Sequence, residues 1–177
     1  TRTGSLAGLR FLMPALGGLA VSVLAHWLKS DLYGTGTHLA RQEFRNLDNR
    51  LGLRETLGKW IASVATLGTG ASAGREGPMF VVGAGIGALW ARWCKLDVFW
   101  HRRFILAGAG AAVGSVFGTP IGGAIFAGEA LDKVDRYRDW KGFGCALVVS
   151  GCAFFVFKAL NGGPDLFPKE SGSAIGV

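Results

Sequence analysis

The run Gly74-Arg75-Glu76-Gly77-Pro78-Met79-Phe80-Val81 sets an ionisable glutamate in a short break between two apolar stretches. Residues 60–73 before it are uncharged and rich in small side chains, and from Pro78 an apolar run continues through Trp93. Proline fits the first turn of a helix, so the pattern predicts a helix opening at Pro78. Glycines flanking Arg75-Glu76 free the backbone N–H groups from side-chain cover. A helix N-terminus carries about half a positive charge and unpaired N–H donors, so it attracts anions. The Glu76 carboxylate could fill that anion site itself, or swing away or take a proton and let a mobile anion replace it. A charge at membrane depth is a functional hypothesis by default. The plainer alternative is that Glu76 caps its own helix at a membrane surface, and the residues alone leave both open.

Outward from this break the chain reads as all-α and membrane-embedded, with about six helices of unequal length. Residues 11–28 are apolar except for His26 and approach the ~20 residues a spanning helix needs. A polar stretch over 29–54 contains Gly34-Thr35-Gly36-Thr37-His38 and then a segment with apolar residues at wide intervals. Residues 104–128 carry no charge, but Phe117-Gly118-Thr119-Pro120 at their centre would break a helix, which predicts two helices over 103–116 and 120–131. A last apolar helix is expected over 141–160, stopped by Asn161-Gly162-Gly163-Pro164. Helices broken inside apolar sequence are tolerated at membrane depth only where protein or a watery cavity covers them. Such breaks point to a substrate or ion site in a transporter or channel.

Composition agrees. Half of the 177 residues are hydrophobic and 18% are charged, against roughly 25% in soluble domains. The 29 glycines would be costly in soluble helices, about 1 kcal/mol each relative to alanine, but in a bilayer small residues let helices approach closely. The formal charge of +7 does not read as a nucleic-acid surface, because the basic residues fall between apolar runs, as at loops and helix ends beside a membrane. Cys94, Cys145 and Cys152 are expected to be buried, reduced thiols; no metal site, cofactor or covalent chemistry is expected. The chain runs from Thr1 to a Gly/Ser-rich end at Val177, with no signal peptide, and reads as a piece of something longer.

Residues 74–90, GREGPMFVVGAGIGALW, resemble the GREGP or GKEGP segment of the CLC family of chloride channels and chloride/proton antiporters. Two further stretches agree in order and spacing. Gly34-Thr35-Gly36-Thr37-His38 falls where the family carries GSGIP, and residues 107–130, AGAGAAVGSVFGTPIGGAIFAGEA, are similar to its small-residue-rich helix pair. The resemblance runs from about Pro14 to Asn161. It implies the N-terminal half of an inverted-repeat fold, as a single membrane domain over 1–177 whose second half, with further anion ligands, is absent. It further implies a multi-pass protein of the cell (inner) membrane, a homodimer meeting through faces near Ile121 and Ile125, and passage of chloride or a similar anion. By the same resemblance Glu76 is the gate, and Thr35 stands where a serine hydroxyl coordinates the anion. Gly74, Arg75, Gly77, Met79, Phe80 and Val81 line the anion site.

Two departures bear on mechanism. Thr37-His38 replaces Ile-Pro, which leaves halide preference open; His38 could add charge near the ion or face solvent. Glu129-Ala130 aligns with a pair of glutamates of which the second is the inner proton acceptor in antiporters. Alanine carries no proton, so that relay is missing. Glu129 could substitute through water or pair with Lys133, four residues on. Channel-like conduction and proton-linked transport both stay open.

Rival classes remain. Gly108-Ala109-Gly110-Ala111-Ala112-Val113-Gly114, after Phe104-Ile105-Leu106 and with Glu129 some way on, imitates a dinucleotide-binding fingerprint, but no strand–helix alternation surrounds it. A phosphate loop at 74–78 lacks the Gly-Lys-Ser/Thr ending. A non-conducting structural membrane subunit is the third alternative.

Overall fold

A computed structural model describes residues 3–28, 36–48, 51–71, 74–131 and 140–161. Among these the chain forms seven helices and no strand: α1 (Thr3–Leu28), α2 (Thr37–Asn46), α3 (Leu53–Gly68), α4 (Glu76–Trp93), α5 (Val98–Phe117), α6 (Pro120–Leu131) and α7 (Trp140–Asn161). The all-α expectation holds. α5 lies at the centre and packs against α4, α6 and α7, while α3 bridges α1 and α4.

The tightest of these joints is backbone on backbone. A Cβ on Gly83 would run into the Gly108 carbonyl oxygen, and one on Gly108 into that of Gly83. One turn along, a Cβ on Gly87 would strike the backbone of Phe104 and lie 3.1 Å from the Ile105 nitrogen. The α5–α6 joint repeats the device, with Gly123 against the backbone of Gly110 and Gly114. Small residues at these spacings let membrane helices touch without side chains between them.

The break at 117–120 falls where the residues require it. α5 ends at Phe117, Gly118 takes the left-handed conformation (φ 67°) with its N–H on the Gly114 carbonyl, and Pro120 opens α6. Other boundaries differ from expectation. α4 opens at Glu76 rather than Pro78, because proline in a first turn has no N–H to waste. α3 opens at Leu53 and α5 at Val98, each with charged residues inside the helix that a search for apolar runs stops at. α2 is a helix because Leu39, Ala40, Glu43 and Phe44 share its buried face. The cysteines also differ: Cys94 and Cys152 are exposed and Cys145 half-buried. Cys94 caps the end of α4, and Cys152 faces away from the α7 stripe of Ala146 and Ser150 that meets α5.

One polar joint ties three helices. Glu43 of α2 is fully buried; its Oε1 accepts from Arg92 Nη1 at 3.0 Å and lies 3.7 Å from His101 Nε2, and its Oε2 accepts the Leu51 N–H at 3.3 Å. Arg92 also donates through Nη2 to the Leu51 carbonyl. Outside these joints much of the surface of α1 and α7 is apolar. Leu16, Leu19, Val23 and Trp27 of α1, and Phe155, Val156 and Leu160 of α7, are all exposed. Among the described helices α7, over Trp140–Leu160, is long and apolar enough to cross a membrane, with a mean hydropathy of 2.0.

Gly87→Ala forces two backbones apart and should cost about 1–3 kcal/mol of stability, the usual range for overpacking. Gly151→Ala, on α7 where nothing stands within 4 Å, should be neutral or slightly stabilising. Thermal unfolding in detergent compares the two. In the same assay Glu43→Ala, which strands Arg92 beside a lost partner, should cost about 3 kcal/mol or more.

Candidate functional site

The site lies where the N-terminus of α2 packs beside the first turns of α4. Gly36, in the left-handed region (φ 72°), leads into α2. A Cβ there would sit 3.2 Å from Val81 Cγ2, in the second turn of α4, and 3.2 Å from Lys59 Cε. At the other end of the pair, Glu43 of α2 meets Arg92 near the C-terminus of α4. The two helices therefore run in the same direction, and their positive ends lie together.

At the α4 end Arg75 is the residue before the helix, and its carbonyl accepts the Met79 N–H at 3.2 Å. That bond uses the Met79 donor. Phe80 and Val81, both buried, lie inside the helical ladder, where N–H groups bond four residues back. Pro78 has no N–H, so the open donors of this terminus belong to Glu76 and Gly77. The Glu76 side chain is exposed and folds back over Gly74: a Cβ on Gly74 would collide with Oε2 and come within 3.3 Å of Cδ. Gly74 is thus the residue that leaves room for the carboxylate. Among the described residues no hydrogen bond or ion pair holds that carboxylate, and no side chain caps α4.

Lys59 of α3 escaped the sequence reading. It is 4% exposed, and its Nζ stands 3.6 Å from the Gly36 Cβ position. The available signal was a single lysine amid the apolar positions of residues 56–68. A cation there adds a full charge to the partial charges of two helix ends. Behind the site Phe80 packs edge-on against Phe126 of α6, with ring centres 5.9 Å apart.

Other expected site residues fall as follows. Thr35 and Lys133 lie outside the described residues. His38 is exposed on the first turn of α2, and Glu129 is exposed near the end of α6. The Ala130 carbonyl accepts two bonds from Arg41, Nε at 3.0 Å and Nη2 at 2.8 Å. The fingerprint-like run 108–114 is the interior of α5, and residues 104–106 before it are helical too, so the strand-turn-helix of a dinucleotide site is not there. An apolar cleft of about 450 Å³ lined by Ile86, Trp90, Trp100 and Phe104 opens towards the other half of α4, away from Glu76.

The sequence profile described as Voltage gated chloride channel matches residues 10–175. Similar proteins include Chloride channel protein C of Dictyostelium discoideum, 27% identical over 66% of this chain and 17% of its own length. The Anion/proton exchange transporter GEF1 of Saccharomyces cerevisiae is 27% identical over 89% of this chain and 19% of its own. The Voltage-gated ClC-type chloride channel ClcB of Citrobacter koseri is 29% identical over 69% of this chain and 29% of its own. The chain spans less than a third of the length of each of these relatives. With a profile that covers nearly every residue, and with helices as the only regular elements among the described residues, this protein belongs to the voltage-gated chloride channel family of integral membrane proteins.

Proposed function

We propose that the full-length protein carries chloride or a similar small anion across a bilayer, passively or linked to protons, with Glu76 as the gate. The observation that carries this reading is the Glu76 carboxylate itself. Among the described residues no hydrogen bond or ion pair ties it, and it stands at a helix N-terminus whose open donors, at Glu76 and Gly77, suit an anion. A carboxylate in that position competes with a mobile anion for the same donors. It vacates them when it swings out or takes a proton.

The anion is bound between the α2 and α4 termini. Gly74, Arg75 and Gly77 supply backbone on one side, and the Thr35 hydroxyl, next to Gly36, supplies a donor on the other. Lys59 holds the ion by charge at short range. Partial charges of helix ends suit conduction, since an ion must bind and still leave. Ala130 favours the passive form over the proton-linked one, because it offers nothing to protonate at that end of α6. The chain acts as the N-terminal half of the conducting unit, in a multi-pass protein of the cell (inner) membrane. A homodimer through the exposed Ile121 and Ile125 of α6 suits the apolar surface found there.

Proteoliposomes of the full-length protein should release chloride. Glu76→Gln should change both the rate and its pH dependence; an unaltered pH profile removes Glu76 from the path. Lys59→Met should weaken chloride binding by roughly 1–2 kcal/mol, about tenfold, and Lys59→Arg should recover most of it. The reversal potential under a proton gradient separates the two transport modes: a value set by chloride alone means passive flow.

A further inference from the structure

We propose that the outer stripe of α2 is a cationic vestibule that gathers anions towards the site, with Arg41 as its fixed inner charge. This rests on the reading that the α2 and α4 N-termini lie on an anion path. His38, Arg41 and Arg45 are spaced three and four residues apart, which puts them on one side of the helix. That side is the open one. His38 and Arg45 are exposed and Arg41 half-buried, while Leu39, Ala40, Glu43 and Phe44 face inward. The one carboxylate of α2, Glu43, is buried on the inner face beside Arg92, so it does not neutralise the stripe. At the far end Arg102 of α5 donates to the Arg45 carbonyl at 2.9 Å and brings a further cation. Among the described residues, exposed carboxylates of neighbouring positions are Asp48, bonded to Asn46, and Glu129, beside the Ala130 that Arg41 binds.

Arg41 differs from the rest in being held. Its two bonds to the Ala130 carbonyl fix the guanidinium on the last turn of α6, an end that carries partial negative charge and open acceptors. Two of its five N–H donors serve that carbonyl. Its charge therefore stays in place about a turn and a half of helix from the α2 N-terminus. A fixed cation beside a low-dielectric wall raises the local concentration of anions and opposes the passage of protons.

The test separates charge from hydrogen bonding. Arg41→Gln keeps an amide donor for Ala130 but removes the charge, and Arg41→Lys keeps the charge. Chloride release from proteoliposomes of the full-length protein is measured at low ionic strength and near 1 M, where screening acts within about 3 Å. At low ionic strength Arg41→Gln should slow release about tenfold, the lower end of electrostatic focusing, and the gap should close at high ionic strength. Arg41→Lys should stay near wild type. Arg45→Gln, at a freely exposed position, should show a smaller loss of the same kind. Release by Arg41→Gln at the wild-type rate overturns the vestibule alone, as does an equal loss in both Arg41 variants that salt does not change. Absence of chloride release from the wild type overturns the transport reading beneath it.

Discussion

Between α4 and α5 the two backbones touch. Gly83 and Gly108 each stand where the other's carbonyl oxygen leaves no room for a Cβ, and Gly87 does the same against Phe104. This contact fixes how far α4 can slide or rotate on the central helix, and the rest follows from it. α4 carries Glu76 at its start and Arg92 at its end. Once its backbone is registered on α5, both positions are set, one for the proposed gate and one for holding α2. In an apolar solvent there is little hydrophobic drive to press helices together, so close contact has to come from shape. The glycine content of the chain is best understood as the means to that end.

The second constraint is electrostatic. Glu43, with no exposed surface, needs Arg92 and the Leu51 N–H to be tolerable, and those partners lie on other elements. Breaking such a pair costs far more than its net contribution to stability, so it acts as a registry device. It aligns α2 with α4. Without that alignment the α2 terminus would not sit against Val81 and Lys59, and the two positive helix ends would not add.

Much of this was legible where the chemistry is local. Gly118 and Pro120 end and restart a helix by backbone geometry that any sequence reader can use, and the α5–α6 break falls between them. Glu76 stood out as a charge in an apolar break. What stayed hidden depends on partners distant along the chain. Glu43 and Arg92 are 49 residues apart, Arg41 and Ala130 are 89 apart, and nothing in either neighbourhood announces the other. Arg41 and Arg45 are among the basic residues between apolar runs that read as loop or helix-end charges, because an apolar run marks a membrane helix and α2 is a mostly polar one. Lys59 was passed over for the opposite reason, as one charge in an otherwise apolar helix.

The placement of charge also explains why Glu76 can be left untied. A carboxylate bonded to an arginine would be a cap, stable and immobile; among the described residues no hydrogen bond or ion pair joins Glu76 to Arg75, its nearest arginine in sequence. The cations near the site are on other helices, Lys59 on α3 and Arg41 on α2. The partial charge of its own helix end attracts Glu76 by about 0.3–1 kcal/mol at an exposed terminus. On the proposed reading, an interaction that weak is exchanged for an incoming anion, whereas a salt bridge with a buried partner could not be. Weak tethering of the carboxylate and firm anchoring of the surrounding backbone are two halves of one arrangement: Gly74 gives the side chain room to move, and Gly83 and Gly87 keep the helix beneath it still.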